Sequence, residues 1–307
     1  MSTRSVLLGV TAVGLAATVS VGAQVFRGGT DTVLLSVTVT DASQNLVRGL
    51  DRTDFLVFED NVPQELTLFS PDQQPVSLCM LIDSSTSMDE KLMVAQEAAI
   101  GFARRLGKND VAQIVDFNNE IQIRQPLTND VALLEKAIRA VRAGGSTSLY
   151  NALYSQISDM RRVRAKSTDE IRRQAIVVLS DGEDTTSLVN YEDVLDVAKR
   201  SEVSVYAISL RAKDATPRRT GFNEADFVLR TLSQVTGGRI FFVTNVAQLP
   251  DIYRQISDEL ANQYVMGYQS KNQKRDGAWR TIALRVIQPG TVARTKSGYF
   301  GPTAGRE

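Results

Sequence analysis

From residue 76 onward the chain alternates short apolar runs with amphipathic stretches at helical spacing, and that alternation most tightly limits what it can fold into. Residues 76–82 (Val-Ser-Leu-Cys-Met-Leu-Ile) and 175–179 (Ala-Ile-Val-Val-Leu) are apolar almost throughout, as expected of strands covered on both faces. Leu92, Ala95, Ala99, Phe102 and Leu106 share one helical face; so do Leu133, Leu134, Ile138 and Val141, and then Leu149, Leu153, Ile157 and Met160. Residues 111–115, 203–208 and 240–243 read as further strands. Residues 225–235 are helical, and Leu249, Ile252, Ile256 and Leu260 mark a closing amphipathic helix. Strands alternating with helices imply right-handed crossovers and a doubly wound, mostly parallel α/β sheet. The short segment 121–123 follows its strand too closely for a crossover and predicts an antiparallel edge.

The two ends of the chain carry a different period. Leu35, Val37 and Val39 alternate with Ser36, Thr38 and Thr40, and residues 55–58 and 66–69 form two more strands around a turn at 59–61. Beyond residue 264, Ile282, Leu284 and Val286 alternate with polar neighbours after the Asp276-Gly277 turn signal, and residues 292–294 and 299–300 close the chain. These flanks predict one small β-sandwich-like module with the α/β domain inserted in it. The division is 1–23 for a targeting segment, 24–74 for the first flank, 75–263 for the α/β domain and 264–307 for the second flank.

The targeting segment is read from Arg4, the only charge before Arg27, the apolar run 6–17 and the small residues Val21, Gly22 and Ala23. An anchor is the competing reading, but the run is short and diluted by Gly, Thr and Ser. A cleaved signal leaves no integral membrane segment and implies an exported protein: periplasmic, secreted or held at the cell surface.

Composition removes whole classes of chemistry. The chain has no histidine, so Ser-His-Asp catalysis, Cys-His catalysis and His-ligated zinc are excluded. The lone Cys79 forms no internal disulfide and reads as a small buried hydrophobe. Lys+Arg and Asp+Glu both number 35, so no global field favours nucleic acid. Arg161, Arg162, Arg164, Lys166, Arg172 and Arg173 cluster around residues 167–169, but Asp169 and Glu170 interrupt them without interleaved aromatics, and a solvated loop is expected. Trp279 reads as flank core.

What remains is oxygen. Residues 83–87, Asp-Ser-Ser-Thr-Ser, follow the first buried strand and can aim the Asp83 carboxylate and the Ser85 and Ser87 hydroxyls at one point. Hard oxygen donors suit Mg²⁺, Mn²⁺ or Ca²⁺, although Asp and Ser after a strand are also ordinary turn and cap residues. Asp181 follows the second buried strand. Thr147 follows Gly144-Gly145-Ser146 at the head of a helix. In open α/β sheets ligands bind at the carboxyl ends of strands, at a topological switch point, and Asp83 and Asp181 both stand at such ends.

With these residues in place, the chain resembles a von Willebrand factor A domain with an intact metal-ion-dependent adhesion site. The resemblance implies a Rossmann-like, six-stranded sheet, direct ligation by Ser85 and Ser87, an Asp83 that acts through water, and further ligands at Thr147 and Asp181. The glycine loop reads Gly-Gly-Ser-Thr rather than Gly-Gly-Thr, which makes Ser146 the alternative to Thr147; the Ser-Leu-Tyr-Asn-Ala-Leu that follows favours Thr147. The segments around Asp41, Asp54, Asp60 and 294–300 are similar to bacterial secreted proteins of this family, so the resemblance covers essentially the whole mature chain. It implies a protein partner that offers an Asp or Glu carboxylate to a bound Mg²⁺ (or Mn²⁺ or Ca²⁺): an adhesion or scaffold module, not an enzyme. A scaffold whose metal meets no ligand is the alternative. A Mg²⁺-dependent hydrolase or phosphotransferase fits less well, because a second Asp two residues after the nucleophile is needed and Ser85 stands there. Residues 211–222, a long loop after a strand, are expected to help select the partner. The oligomeric state is not set by any of these features.

Overall fold

The computed structural model describes residues 32–166, 172–210 and 224–304. The targeting segment, the loop at 167–171 and the loop read as partner-selecting lie outside the described residues. The central sheet contains six strands: β5 (Val76–Asp83), β6 (Val111–Phe117), β7 (Ile121–Thr128), β8 (Arg173–Ser180), β9 (Val203–Leu210) and β10 (Ile240–Val243). Their spatial order is β10-β9-β8-β5-β6-β7. All neighbours run parallel except the edge strand β7. That strand carries Pro126, tolerated where one edge is free of a partner strand.

Every residue of β5 and β8 is buried, the consequence of covering both faces. Helices α1 (Asp89–Ala103), α2 (Val131–Ala140) and α6 (Leu249–Ala261) cover one face; α3 (Leu149–Lys166), α4 (Tyr191–Lys199) and α5 (Glu224–Thr236) cover the other. Fully burying each large apolar side chain contributes about 1.5–3 kcal/mol, so the two apolar layers anchor the sheet on both sides. Within these layers Leu133 departs from the expected helical face. It is 43 % exposed while Leu134 and Ile138 are buried, because α2 packs its stripe through positions 134, 137 and 138. Leu106 lies past the end of α1 and is only half-buried.

The chain runs β5, β6, β7 outward in one direction, returns to lay β8 beside β5, and then runs outward the other way. The switch point therefore falls between the carboxyl ends of β5 and β8. Asp83 ends the first of these strands and Ser180 the second.

The flanks build two four-stranded sheets. In one, β1 (Thr32–Asp41) lies between β13 (Thr291–Arg294) and β11 (Tyr264–Gln269), which in turn pairs β4 (Leu66–Ser70). In the other, β12 (Trp279–Val286) lies between β14 (Gly298–Phe300) and β2 (Phe55–Glu59), which pairs the short β3 (Val62–Gln64). Strands from both ends of the chain thus meet within each sheet, alternating in the first and joined through β12 and β2 in the second. The sheets share a core in which the Phe55 and Tyr264 rings lie 5.3 Å apart. Trp279 is half-buried rather than central. It meets the edge of Phe300 at 5.1 Å and carries the Lys199 ammonium above its ring.

One basic residue assigned to the solvated cluster proves to be structural. Arg173 begins β8 and is 8 % exposed, donating to Gln263 Oε1 at 3.0 Å and to the Gln74 carbonyl at 2.5 Å. Arg161 and Arg162 are exposed, as expected.

Candidate metal centre

The site is assembled from three loops at the switch point. The first, residues 83–87, leaves β5 in a tight turn because Asp83 Oδ1 accepts the Ser85 amide at 2.8 Å. Asp83 Oδ2 accepts the Ser180 hydroxyl at 2.6 Å. Both oxygens are therefore fixed, and the residue is fully buried. Burial, chiefly, with the neighbouring Asp181 carboxylate adding to it, pushes the Asp83 carboxyl above its usual range. The Ser85 and Ser87 hydroxyls lie 3.0 Å apart, and Ser87 donates to Asp181 Oδ1 at 2.7 Å.

The second loop is strapped to the first by backbone. Gly144 donates its amide to the Ser84 carbonyl at 2.8 Å, while the Gly145 carbonyl accepts from the Thr86 amide at 3.0 Å and the Thr86 hydroxyl at 2.9 Å. Gly145 has φ +79°, and a Cβ there would stand 2.2 Å from Asn119 Oδ1, so glycine is needed both for conformation and for close approach.

The third loop, residues 181–187, holds Thr147 from behind. The Thr147 carbonyl accepts the Thr185 amide at 2.9 Å and the Thr186 amide at 3.2 Å. The amides of the first turn of α3 are capped by Asp184 Oδ1, on Tyr150 N at 3.0 Å, and by Ser187 Oγ, on Asn151 N at 2.9 Å. An ordinary capping role for Thr147 is thereby taken by other side chains. Thr147 Oγ1 instead faces the site: a Cβ on Gly182 would stand 3.4 Å from it and 3.8 Å from Ser87 Oγ. The alternative residue, Ser146, turns its hydroxyl to Thr186 Oγ1 at 3.3 Å.

The five residues singled out in the sequence are thus brought to one place: Asp83, Ser85, Ser87, Thr147 and Asp181. Their donors are two carboxylates and three hydroxyls, a hard all-oxygen set. The 3.0 Å between the two serine oxygens matches the edge of an octahedron with metal–oxygen bonds of about 2.1 Å, which is about 3.0 Å. The donor chemistry and spacing fit Mg²⁺ or a similar cation. Among the described residues no group of three or more His, Cys, Asp or Glu side chains gathers as a metal site, so a cation here would depend on the hydroxyls.

Two features of the site escaped the sequence reading. Ser180 orients Asp83. Lys91, in the first turn of α1, sets its ammonium against Asp181 Oδ2. The first could have been found from its position beside Asp181. The second has a faint signal: a cation in the first turn of a helix opposes the helix dipole.

Comparison with known proteins agrees with the fold. No curated protein matches the chain. A solved structure described as von Willebrand factor type A from Catenulispora acidiphila is similar over 91 % of this chain and 76 % of that one, with a TM-score of 0.51 and 13 % identity. Proximal thread matrix protein 1 from the mussel byssus is similar over 66 % of this chain and 50 % of its own, with a TM-score of 0.50 and 15 % identity. At these identities the likeness is one of fold. The family model for the von Willebrand factor type A domain matches residues 77–255, more than half of the 307 residues. The chain belongs to the von Willebrand factor type A domain family.

Proposed function

We propose that the protein is a metal-dependent protein-binding module whose partner presents an Asp or Glu carboxylate. The observation that carries this reading is the linked row of Ser85, Ser87 and Asp181 oxygens, 3.0 and 2.7 Å apart, at the sheet's switch point. A bound divalent cation would supply a positive centre for that carboxylate. The residues that would hold it are Ser85, Ser87 and Thr147 directly, with Asp83 and Asp181 contributing charge. Asp83, held by Ser85 N and Ser180 Oγ, suits a role through water. The three hydroxyls bound directly add no charge and Asp83 would act through water, so the nearest ligands leave the dication undercompensated and attractive to a further anion.

In this reading no group acts as nucleophile or general acid, and the protein is not an enzyme. The Ser180 hydroxyl and the Ser85 amide hold the Asp83 carboxylate in place. We further infer export by a cleaved segment at 1–23, a domain division at 74/75 and 263/264, and a location in the periplasm, on the cell surface or outside the cell. Among the described residues no helix is long and apolar enough to cross a membrane.

The Lys91–Asp181 ion pair favours a second reading, a scaffold in which the ammonium permanently replaces the metal. A pull-down from the native envelope and secretome separates the two. Metal-dependent binding requires partner capture with Mg²⁺ or Mn²⁺, loss with EDTA, and loss in Asp83→Ala with the fold intact by circular dichroism. Capture unaffected by EDTA refutes it.

A further inference from the structure

Lys91 has no helical reason to be where it is. It sits in the first turn of α1, after Asp89 and Glu90, where the exposed amide groups repel cations. Its side chain is 27 % exposed, whereas that of Asp181 is 1 % exposed. The ammonium meets Asp181 Oδ2, while Oδ1 takes the Ser87 hydroxyl. One carboxylate thus has one oxygen committed to the row of donors and the other to a tethered cation. The second carboxylate, Asp83, is held by neutral donors only, Ser85 N and Ser180 Oγ. Lys91 therefore places its positive charge on Asp181, the one of the two acids that meets a cation.

We propose that Lys91 is a built-in competitor for the metal: it neutralises Asp181 in the metal-free protein and lowers the affinity of the site for divalent cations. This rests on the metal-binding reading above and concerns how that same site is regulated. A dication approaching the Ser85–Ser87–Asp181 oxygens either takes Asp181 from Lys91 or binds beside a like charge. Both routes weaken binding, and weaken it less as salt screens the repulsion. The exposed part of the Lys91 side chain gives the ammonium a path to solvent when it is displaced. Metal-free protein then keeps Asp181 paired, and the site fills at a higher free-cation concentration than it would without Lys91.

The test is isothermal titration of the mature chain with MgCl₂ and with MnCl₂ at low ionic strength, on the wild type, Lys91→Met and Lys91→Arg. Removal of a unit like charge beside the cation is expected to tighten binding about tenfold or more in Lys91→Met. Lys91→Arg, which keeps the charge, is expected to stay within about threefold of the wild type, and the Met gain is expected to shrink in added salt. Thermal unfolding gives an independent readout: Lys91→Met lowers the metal-free midpoint and enlarges the rise produced by metal. Lys91→Gln serves as the neutral variant should Met not fold. Equal affinities in wild type and neutral variant overturn the competitor role and leave the metal site standing. Tightening in Lys91→Arg equal to that in Lys91→Met also overturns it. No heat and no thermal shift in any variant overturns both this role and the metal reading.

Discussion

Glu259 is the residue whose loss tests how the two structural units are joined. It lies near the end of α6, 3 % exposed. Its Oε1 accepts from Tyr206 Oη in β9 at 2.7 Å and from Thr38 Oγ1 in β1 at 3.1 Å, and it pairs with Arg294 in β13. Gln263 Nε2 adds bonds to the same Tyr206 and Thr38 hydroxyls, at 3.1 and 3.2 Å. Two of these partners belong to the flank module. Glu259→Leu removes the acceptor for two buried hydroxyls, which keep Gln263 alone, and the counter-charge of a guanidinium. Removing one member of a buried ion pair costs about 3–5 kcal/mol. Arg294 keeps the Gly237 carbonyl at 3.2 Å and is 27 % exposed on its side chain, which places the loss toward the lower end, about 3–4 kcal/mol. For a chain of this size that lowers the midpoint by roughly 2–4 °C per kcal/mol. Replacing both charges, as in Glu259→Leu with Arg294→Met, should recover a substantial part of the loss, because no charge is then left unpaired. The assay is urea unfolding followed by Trp279 fluorescence for the flank module and by far-UV circular dichroism for the whole. The single variant should separate the two transitions. A loss below about 1 kcal/mol, the size of an exposed pair, or a double variant no better than the single, refutes the reasoning.

Other perturbations probe the core and the turns. Burial pushes the Cys79 thiol up to about 12 from an ordinary 9.0, so native protein should react with a thiol reagent at pH 8 only through unfolding; rapid labelling without denaturant contradicts the fold. The same shift carries a sign. Above pH 9 the unfolded thiol ionises and the folded one does not, so stability falls by up to about 1.4 kcal/mol per pH unit there, a slope that Cys79→Ala should reduce in urea titrations at pH 8, 9 and 10. Phe102→Ala removes a ring that is 1 % exposed and stacked 5.0 Å from Tyr253; about 3–5 kcal/mol should be lost in urea unfolding. Gly238→Ala places a Cβ 2.0 Å from the Val205 carbonyl oxygen, and little soluble, folded protein is expected by gel filtration.

The α/β fold was legible because two of its strands carry runs that are apolar almost throughout and its helices carry stripes at a steady spacing. Those signals come from burial on both sheet faces, which acts on many residues at once. Asp83 and Asp181 were legible because strand ends are fixed by the same runs. The remainder depends on contacts between residues far apart in the chain. Arg173 looked like one of a cluster of surface charges, yet its strand position draws it under Gln263 and Gln74. Glu259 lay in an amphipathic helix with nothing to mark it as the acceptor for three other elements. Leu133 fitted the helical stripe but falls at its margin. The residues after Thr147 favoured it over Ser146, but the bond from the Ser146 hydroxyl to Thr186, 40 residues on, is a contact that no local pattern encodes.

The arrangement of the connections has a mechanical consequence. The candidate site lies at the carboxyl end of β5, whose eight residues span about 26 Å, and the flank module joins at the other end through β4 and β11. These two strands pair with each other, Ser70 opposite Val265, and both connect to the α/β domain at that same end of their ladder. A pull on the site would travel along the strands and reach β4 and β11 together, from one side. Their mutual hydrogen bonds would carry little of the load. The six-residue register between β11 and β1 would bear it in shear, the direction in which a β ladder yields all its bonds at once rather than one by one.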